Sequence, residues 1–526
     1  MRRAAANRNG TMVRILISGY SVFVRHTHSR RLNRKAIRTG EAEMTTDDAP
    51  AADGHADWLE RLDAIHATGY MNWITASWAM MFIKQGILPK DRSSDVAKVL
   101  LEMRENPISV DEAGPHMYRG DAHFIRTLGD EVGGSVMMAR TQPSMRQTLE
   151  VRHRLLKQMC RIYDLVEATL DRAEEQANTV MPGYTHFRHA QPTTFGHYLL
   201  SVADAISRST ESLEHACHLM SLNEMGCGAL AGTSWPIDRD LVGEYLGTDG
   251  LIENANDAVC FTDGYLSTVA GLTNITNIAS RIALDLSYWS GVEYGFLDIG
   301  GRRGLSFMMP QKEGNPNSME IVRQQAGHML GHLTGVAAAG LRAPHGDVFE
   351  MLTLSKPALA ALDAAETCTT ELTNEIRKMT VHEDRMLGLI RESYLAATEL
   401  ANQMVRDHDM GYRVAHDIVH TFVVESQNRG IPATKADIKL LEKITQDVTG
   451  RQLGMTEQRL RELLDPEHFI DVTNSRGGVS RGEIARMLHD RRQKLDEARA
   501  RHLRRIEKLE AGQRRLVADL QAAANA

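Results

Sequence analysis

The sequence predicts an all-α fold, and three observations do so. Across 526 residues there are only 14 prolines and 5% aromatic residues, with 26 methionines, a composition that favours helix over a many-stranded sandwich. Apolar residues recur at spacings of three and four over long stretches. Breaks marked by Pro or Gly are far apart, at Ile87–Arg92, Pro107–Gly120, Met181–Pro192, Met225–Asp238 and Gly300–Pro316.

Residues 1–56 stand apart as an extension. Residues 1–43 carry nine Arg plus Lys35 against Glu41 and Glu43, net +8, while the remaining chain is net −15. The apolar run Ile15–Val24 is too short to span a membrane and lacks a clear cleavage site. Met44 opens a polar stretch typical of a native amino terminus, so the extension is expected to be disordered or the product of a start placed too early; an Arg-rich targeting segment is the other reading.

From Asp57 the pattern is helical, and residues 57–150 form a first helical domain. In 151–398 the expected helices are very long. One runs from about Ser144 to Thr179, with Leu149, Leu155, Leu156, Met159, Ile162, Val166 and Leu170 along it; others run His197–Leu222, Gly264–Tyr294 and Asn317–Leu341. The last two are apolar or small on several faces, which places them inside a bundle and predicts association with further copies of the chain. Residues 399–480 read as a domain of shorter helices. Residues 481–526 read as a charged, solvated helical tail with an imperfect stripe of Leu495, Ala498, Ile506, Leu509, Leu516 and Leu520, weakened at Gly512.

The acidic body disfavours nucleic acid as a partner, and nothing predicts a membrane span. Five cysteines with no CxxC or metal-ligand spacing suit free thiols in a reducing, cytoplasmic setting. No metal, phosphate-loop or dinucleotide motif is visible, so no cofactor is expected.

Polar residues that a bundle does not need for folding gather in the breaks. In Pro182-Gly-Tyr-Thr-His-Phe-Arg-His-Ala-Gln-Pro192, Thr185, His186, His189 and Gln191 cluster between prolines. Taken alone, His186 suits a structural or surface role better than catalysis. In Gly300-Gly-Arg-Arg-Gly-Leu-Ser-Phe-Met-Met-Pro-Gln-Lys-Glu-Gly-Asn-Pro316, three glycines make a hinge, Ser306 offers a hydroxyl, Lys312 a cation and Asn315 an amide. The bland alternative is a flexible surface connection, but Phe307, Met308 and Met309 would dock it. A serine near a lysine and the free amides of the helix starting at Asn317 could abstract a proton, and the same cations would stabilise a carboxylate-flanked carbanion.

These segments resemble the argininosuccinate lyase branch of the fumarase/aspartase superfamily, whose signature loop reads approximately S-S-x-M-P-x-K-x-N-x-x-x-x-E. Here it stands as Ser306-Phe-Met-Met-Pro-Gln-Lys312-Glu-Gly-Asn315, then Glu320. The segments 181–192, 228–240, 250–259 and 293–296 continue the likeness, which extends from about Asp57 to Ser480. The resemblance implies a three-domain subunit with a long central bundle, a twenty-helix core in a homotetramer, and active sites assembled from three subunits. It implies reversible β-elimination of fumarate from an N-substituted aspartate. In that reaction Ser306 takes the β-proton, and Lys312, Asn315 and Thr185 hold the succinyl carboxylate. His186, paired with Glu320, assists protonation of the departing nitrogen, with Gln191, Arg140, Thr141 and Gln142 at the substrate.

The departures matter too. One extra residue separates Lys312 from Asn315, and Phe307 replaces the second serine. Where the branch has A-R-S-R-N-D-Q, this chain has Ala139-Arg-Thr-Gln-Pro-Ser-Met145, so Gln142 and Pro143 replace an Arg and an Asn that grip substrate. Pro344 and Phe349 replace a Tyr and a Gln. The expectation is an argininosuccinate lyase-like enzyme acting on a related N-succinyl amine in preference to argininosuccinate. The alternatives are a plain arginine-biosynthetic lyase and an inactive structural or binding homologue.

Overall fold

The computed structural model describes residues 13–17, 20–24, 55–67, 69–107, 121–136, 138–140, 144–299, 308–309, 314–346 and 348–526. The chain divides into two units at residue 51. In the first, the apolar run of the extension is a hairpin: β1 (Val13–Ile17) pairs antiparallel with β2 (Tyr20–Val24), Val13 opposite Val24. The rest of residues 1–51, to which the expectation of disorder also applied, lies outside the described residues.

The second unit opens with α1 (His55–His66) and α2 (Tyr70–Lys84). From Trp73 to Phe82 every residue of α2 is buried, the mark of a helix apolar all round. Then come α3 (Ser93–Glu105), α4 (Asp121–Leu128), α5 (Asp130–Gly133) and the 32-residue α6 (Ser144–Glu175). Sequence spacing extends α6 to Thr179; it stops earlier because the chain turns into β3 (Val180–Thr185), where Pro182 cannot propagate a helix.

An antiparallel return along β4 (Arg188–Thr194) leads into α7 (Phe195–Leu219), whose first turn is capped by the Thr194 hydroxyl accepting from the His197 amide. Short elements follow at the far end of α7: β5 (Leu222–Asn223), α8 (Arg239–Leu246), β6 (Gly250–Leu251) and α9 (Ala255–Val259). The chain then runs back through α10 (Asp263–Trp289), turns at β7 (Leu297–Asp298), returns through α11 (Asn317–Arg342), passes α12 (Val348–Met351) and rises again in α13 (Ser355–Lys378), ending at β8 (Thr380–Val381). Helices α6, α7, α10, α11 and α13 thus form an up-and-down bundle around one apolar core. In α11 only Met319, Val322, Met329 and Val336 are buried, whereas Leu330 is 61% and Leu341 87% exposed.

Beyond β8 lie α14 (Glu383–Arg391), α15 (Ala397–His408), α16 (Tyr412–Asn428), α17 (Ile438–Thr449), α18 (Glu457–Leu463) and α19 (Pro466–Val472). Helices α15–α18 enclose a separate core that includes Leu400, Met404, Ile418, Phe422, Leu441 and Leu460.

The charged segment expected as a solvated tail is α20 (Arg481–Ala524), a 44-residue helix lying lengthwise on the bundle. Leu495, Ile506, Leu509, Leu516 and Leu520 are buried against the body, each worth about 1.5–3 kcal/mol if burial is complete. Its arginines pair with acids along the whole length: Arg491 with Asp204, Arg499 with Glu167, Arg505 with Glu214 and Arg515 with Glu244. Gly512, read as a weak point, is a close approach: a Cβ there would meet the Glu244 carbonyl oxygen at 2.5 Å.

Between α1, α2 and α6, the His66 and His153 rings stack at 4.0 Å, with the Tyr70 hydroxyl 2.8 Å from His153 Nδ1 and Asp63 3.0 Å from its Nε2. Burial holds His153 down to about 4 despite Asp63, and pushes His66 well below the usual imidazole range, helped by His153.

This packing leads to two expected outcomes. Gly512→Ala, which in an open helix would stabilise by about 1 kcal/mol, is expected to lower the thermal midpoint; an unchanged or raised midpoint contradicts the close approach. Both histidines refuse protons that the unfolded chain accepts below about pH 6.5, so stability is expected to fall as pH drops from there towards 4. Denaturant titrations at stepped pH check this, and His66→Phe should make the decline shallower.

Candidate functional site

The bundle sorts the polar turns into two groups. At one end lie the β3–β4 hairpin, the turn from α10 into α11, and the strand β8 after α13. At the other lie the start of α6, the connection through α8 and α9, and the turn after α11. Their separation is set by α6, about 48 Å long at a rise of about 1.5 Å per residue.

At the first end, Thr185 stands opposite Arg188, so His186 and Phe187 form a two-residue turn with φ of 54° and 57°. That left-handed pair matches the turn that strand twist prefers, but a non-glycine residue there costs about 1–2 kcal/mol. The turn is held by its flanking pairs and by Phe187, whose ring meets Tyr288 edge-on at 6.4 Å. His186 is exposed at the tip, as are Thr185 and Gln191, whose amide lies 3.5 Å from the Thr398 hydroxyl at the start of α15.

Behind the tip, the Tyr184 hydroxyl lies 3.3 Å from His189 Nε2. Burial pushes Tyr184 up to about 12, aided by the neighbouring Tyr294, and lowers His189, so both are neutral. The Tyr184 ring also meets Tyr294, which fixes the hairpin against the segment leading to the glycine-rich loop.

That loop is tethered at both ends, to the carboxyl half of α13 and to the β8–α14 segment. On its amino side, Leu297 pairs with Val381 and the His382 amide donates to the Phe296 carbonyl at 2.9 Å. Arg385 donates to the carbonyls of Tyr294 and Glu293. On its carboxyl side, Met319 is fully buried and the Ser318 hydroxyl donates to Glu375 at 2.7 Å. Ser306 and Lys312, between these tethers, lie outside the described residues. Asn315 and Glu320 are exposed at the start of α11. The expected His186–Glu320 pair is not formed within one chain: among the described residues no hydrogen bond or ion pair joins them.

At the opposite end, Arg140 does not present its guanidinium to solvent; it is 6% exposed and Nη1 donates to the Thr75 hydroxyl of α2 at 3.0 Å. Thr141 and Gln142 lie outside the described residues. Nearby, Arg239 binds the carbonyls of Met225, Ile252 and Glu253, and the Gly346 amide approaches Cys260 Sγ, drawing the segments 225–238, 250–259 and 344–346 together. The structure therefore brings His186, Thr185, Gln191, Asn315 and Glu320 to one end of the bundle and Arg140 to the other. The bracing role of Arg385 had no signal in local sequence, since its partners lie about ninety residues earlier. Tyr184 stood within the motif but reads there as packing. Among the described residues no group of three or more His, Cys, Asp or Glu is placed to hold a metal, and no helix is long and apolar enough to cross a membrane.

Long helices with polar turns gathered at the bundle's ends are an arrangement that comparison with known proteins assigns to the lyases. A lyase family model matches residues 139–331, and a model of the argininosuccinate lyase C-terminal region matches 394–471. Argininosuccinate lyase 1 of Shouchella clausii is 30% identical over 446 residues, 83% of this chain and 89% of that protein. Argininosuccinate lyase of Methanothrix thermoacetophila is 29% identical over 83% of this chain and 90% of its own length. Among solved structures, EDDS lyase in complex with formate superposes with a TM-score of 0.77 at 24% identity, over 91% of this chain and 97% of that one. An EDDS lyase variant with bound fumarate gives 0.77 at 25% identity over the same shares. The chain belongs to the argininosuccinate lyase branch of the fumarase/aspartase superfamily, as a divergent member. It is a carbon–nitrogen lyase.

Proposed function

We propose that this lyase catalyses reversible elimination of fumarate from an N-substituted aspartate whose amine part differs from arginine. Ser306 acts as the base at the β-carbon, Lys312 and Asn315 hold the succinyl carboxylate with Thr185, and His186 with Glu320 serves the departing nitrogen. The observation that carries the assembly is the sorting of motif residues to opposite ends of a bundle about 48 Å long. Residues so far apart meet only if a second copy, packed antiparallel, brings its Arg140 end to the first copy's His186 end.

The half-exposed apolar face of α11 supports such packing, and a homotetramer with shared sites is the assembly we assign. The fumarate-bound neighbour supports the dicarboxylate half. The amine half rests on Gln142, Pro143, Pro344 and Phe349, which remove hydrogen-bonding partners the branch uses; such a loss costs about 2–5 kcal/mol when the opposing charge is left buried.

Incubating the purified protein with fumarate and a panel of amines, with mass spectrometry of the adducts, is expected to reveal addition. No product across a broad panel from an intact assembly overturns the assignment. Ser306→Ala is expected to reduce turnover about 10²–10⁴-fold without altering assembly. Specific activity is also expected to fall on dilution in step with the loss of assembled species seen by light scattering; activity in a monomer contradicts shared sites.

A further inference from the structure

The β3–β4 hairpin carries a cation to which no role has been given. Thr185 stands opposite Arg188, and Tyr184 opposite His189. The Tyr184 and His189 rings meet edge-on at 5.2 Å with a polar contact between them, so this pair occupies one face of the hairpin. Alternation along a strand then sets Thr185 and Arg188 together on the other face, with Cβ atoms about 5 Å apart.

Arg188 is exposed, and among the described residues its side chain takes part in no hydrogen bond or ion pair. Some arginines of the molecule are matched to acids, as in Arg377 with Asp164 and Arg491 with Asp204; what marks Arg188 is the Thr185 hydroxyl set beside it. Its position next to the two-residue turn is set by the pairing of Thr185 with Arg188 and of Tyr184 with His189. A guanidinium held beside a hydroxyl is a carboxylate receptor: two parallel N–H donors and one O–H converge on the same pair of oxygens. A dicarboxylate brings two negative charges, and Gln142 stands where the branch has an arginine, so the cation at that position is missing.

We propose that Arg188 binds a carboxylate of the fumarate half of the substrate beside Thr185, as a specificity-determining contact that makes the hairpin a cationic arm of the site. This rests on the fumarate-releasing reading. The test measures fumarate affinity by calorimetry in the assembled Ser306→Ala protein, which holds the ligand without turnover, and then with Arg188→Gln or Arg188→Lys added.

Arg188→Gln is expected to weaken fumarate binding at least tenfold and Arg188→Lys to recover part of the loss. In the otherwise native enzyme, Arg188→Gln should raise KM for fumarate while KM for the amine moves less than twofold. Unchanged fumarate affinity in Arg188→Gln overturns the role of Arg188 and leaves the wider reading intact. Absence of fumarate binding in the Arg188-bearing parent overturns both.

Discussion

The packing of α6 against α7, α10 and α13 is the constraint on which the rest of the molecule depends. Helices of this length cannot bend sharply within their apolar core, so every reversal of the chain occurs at one of two ends. Whatever polar chemistry the chain carries is therefore confined to the ends, and the core between them is a spacer. Chemistry requiring residues from both ends becomes a property of how copies meet. The exposed leucines of α11 and the solvent-facing His186 belong to the same logic, and the shared-site assembly proposed above would cover both.

Helix α20 adds a second long-range tie. It buries a leucine stripe and sets arginines against acids on α6, α7 and α8 along its length. The Arg515–Glu244 pair is half-exposed, and pairs of that kind contribute little, about 0–1 kcal/mol; Arg499–Glu167 and Arg505–Glu214 are mostly buried, so they fix the register of a helix that the apolar stripe holds.

Much of this was legible in the sequence. The spacing of Leu149, Leu155, Met159, Ile162 and Val166 gave α6 because the rhythm of one buried face is a local property, and α7, α10 and α11 followed within a few residues at each end. What failed was non-local. Gly512 read as a weakness because propensity knows nothing of the Glu244 carbonyl beside it. Segment 481–526 read as solvated because its acidic partners lie hundreds of residues away. The hairpin was hidden because His186-Phe187 lacks the Asn-Gly chemistry usual for its turn. In the site, the residue types of the two break segments were readable, but the inward turn of Arg140 towards Thr75 depends on α2, about sixty-five residues upstream, and could not be inferred from the motif.

The hairpin around His186 has a consequence for how this chain tolerates change in length. Exposed loop tips are ordinarily where insertions and deletions accumulate. Here the pairing has one irregularity, between Pro182 and Tyr184, and gaining or losing one residue between it and the turn would exchange the two faces, sending Thr185 and Arg188 inward against Tyr294 and turning Tyr184 and His189 out. This surface segment should therefore vary among descendants of the chain by replacement of side chains and never by a change in their number.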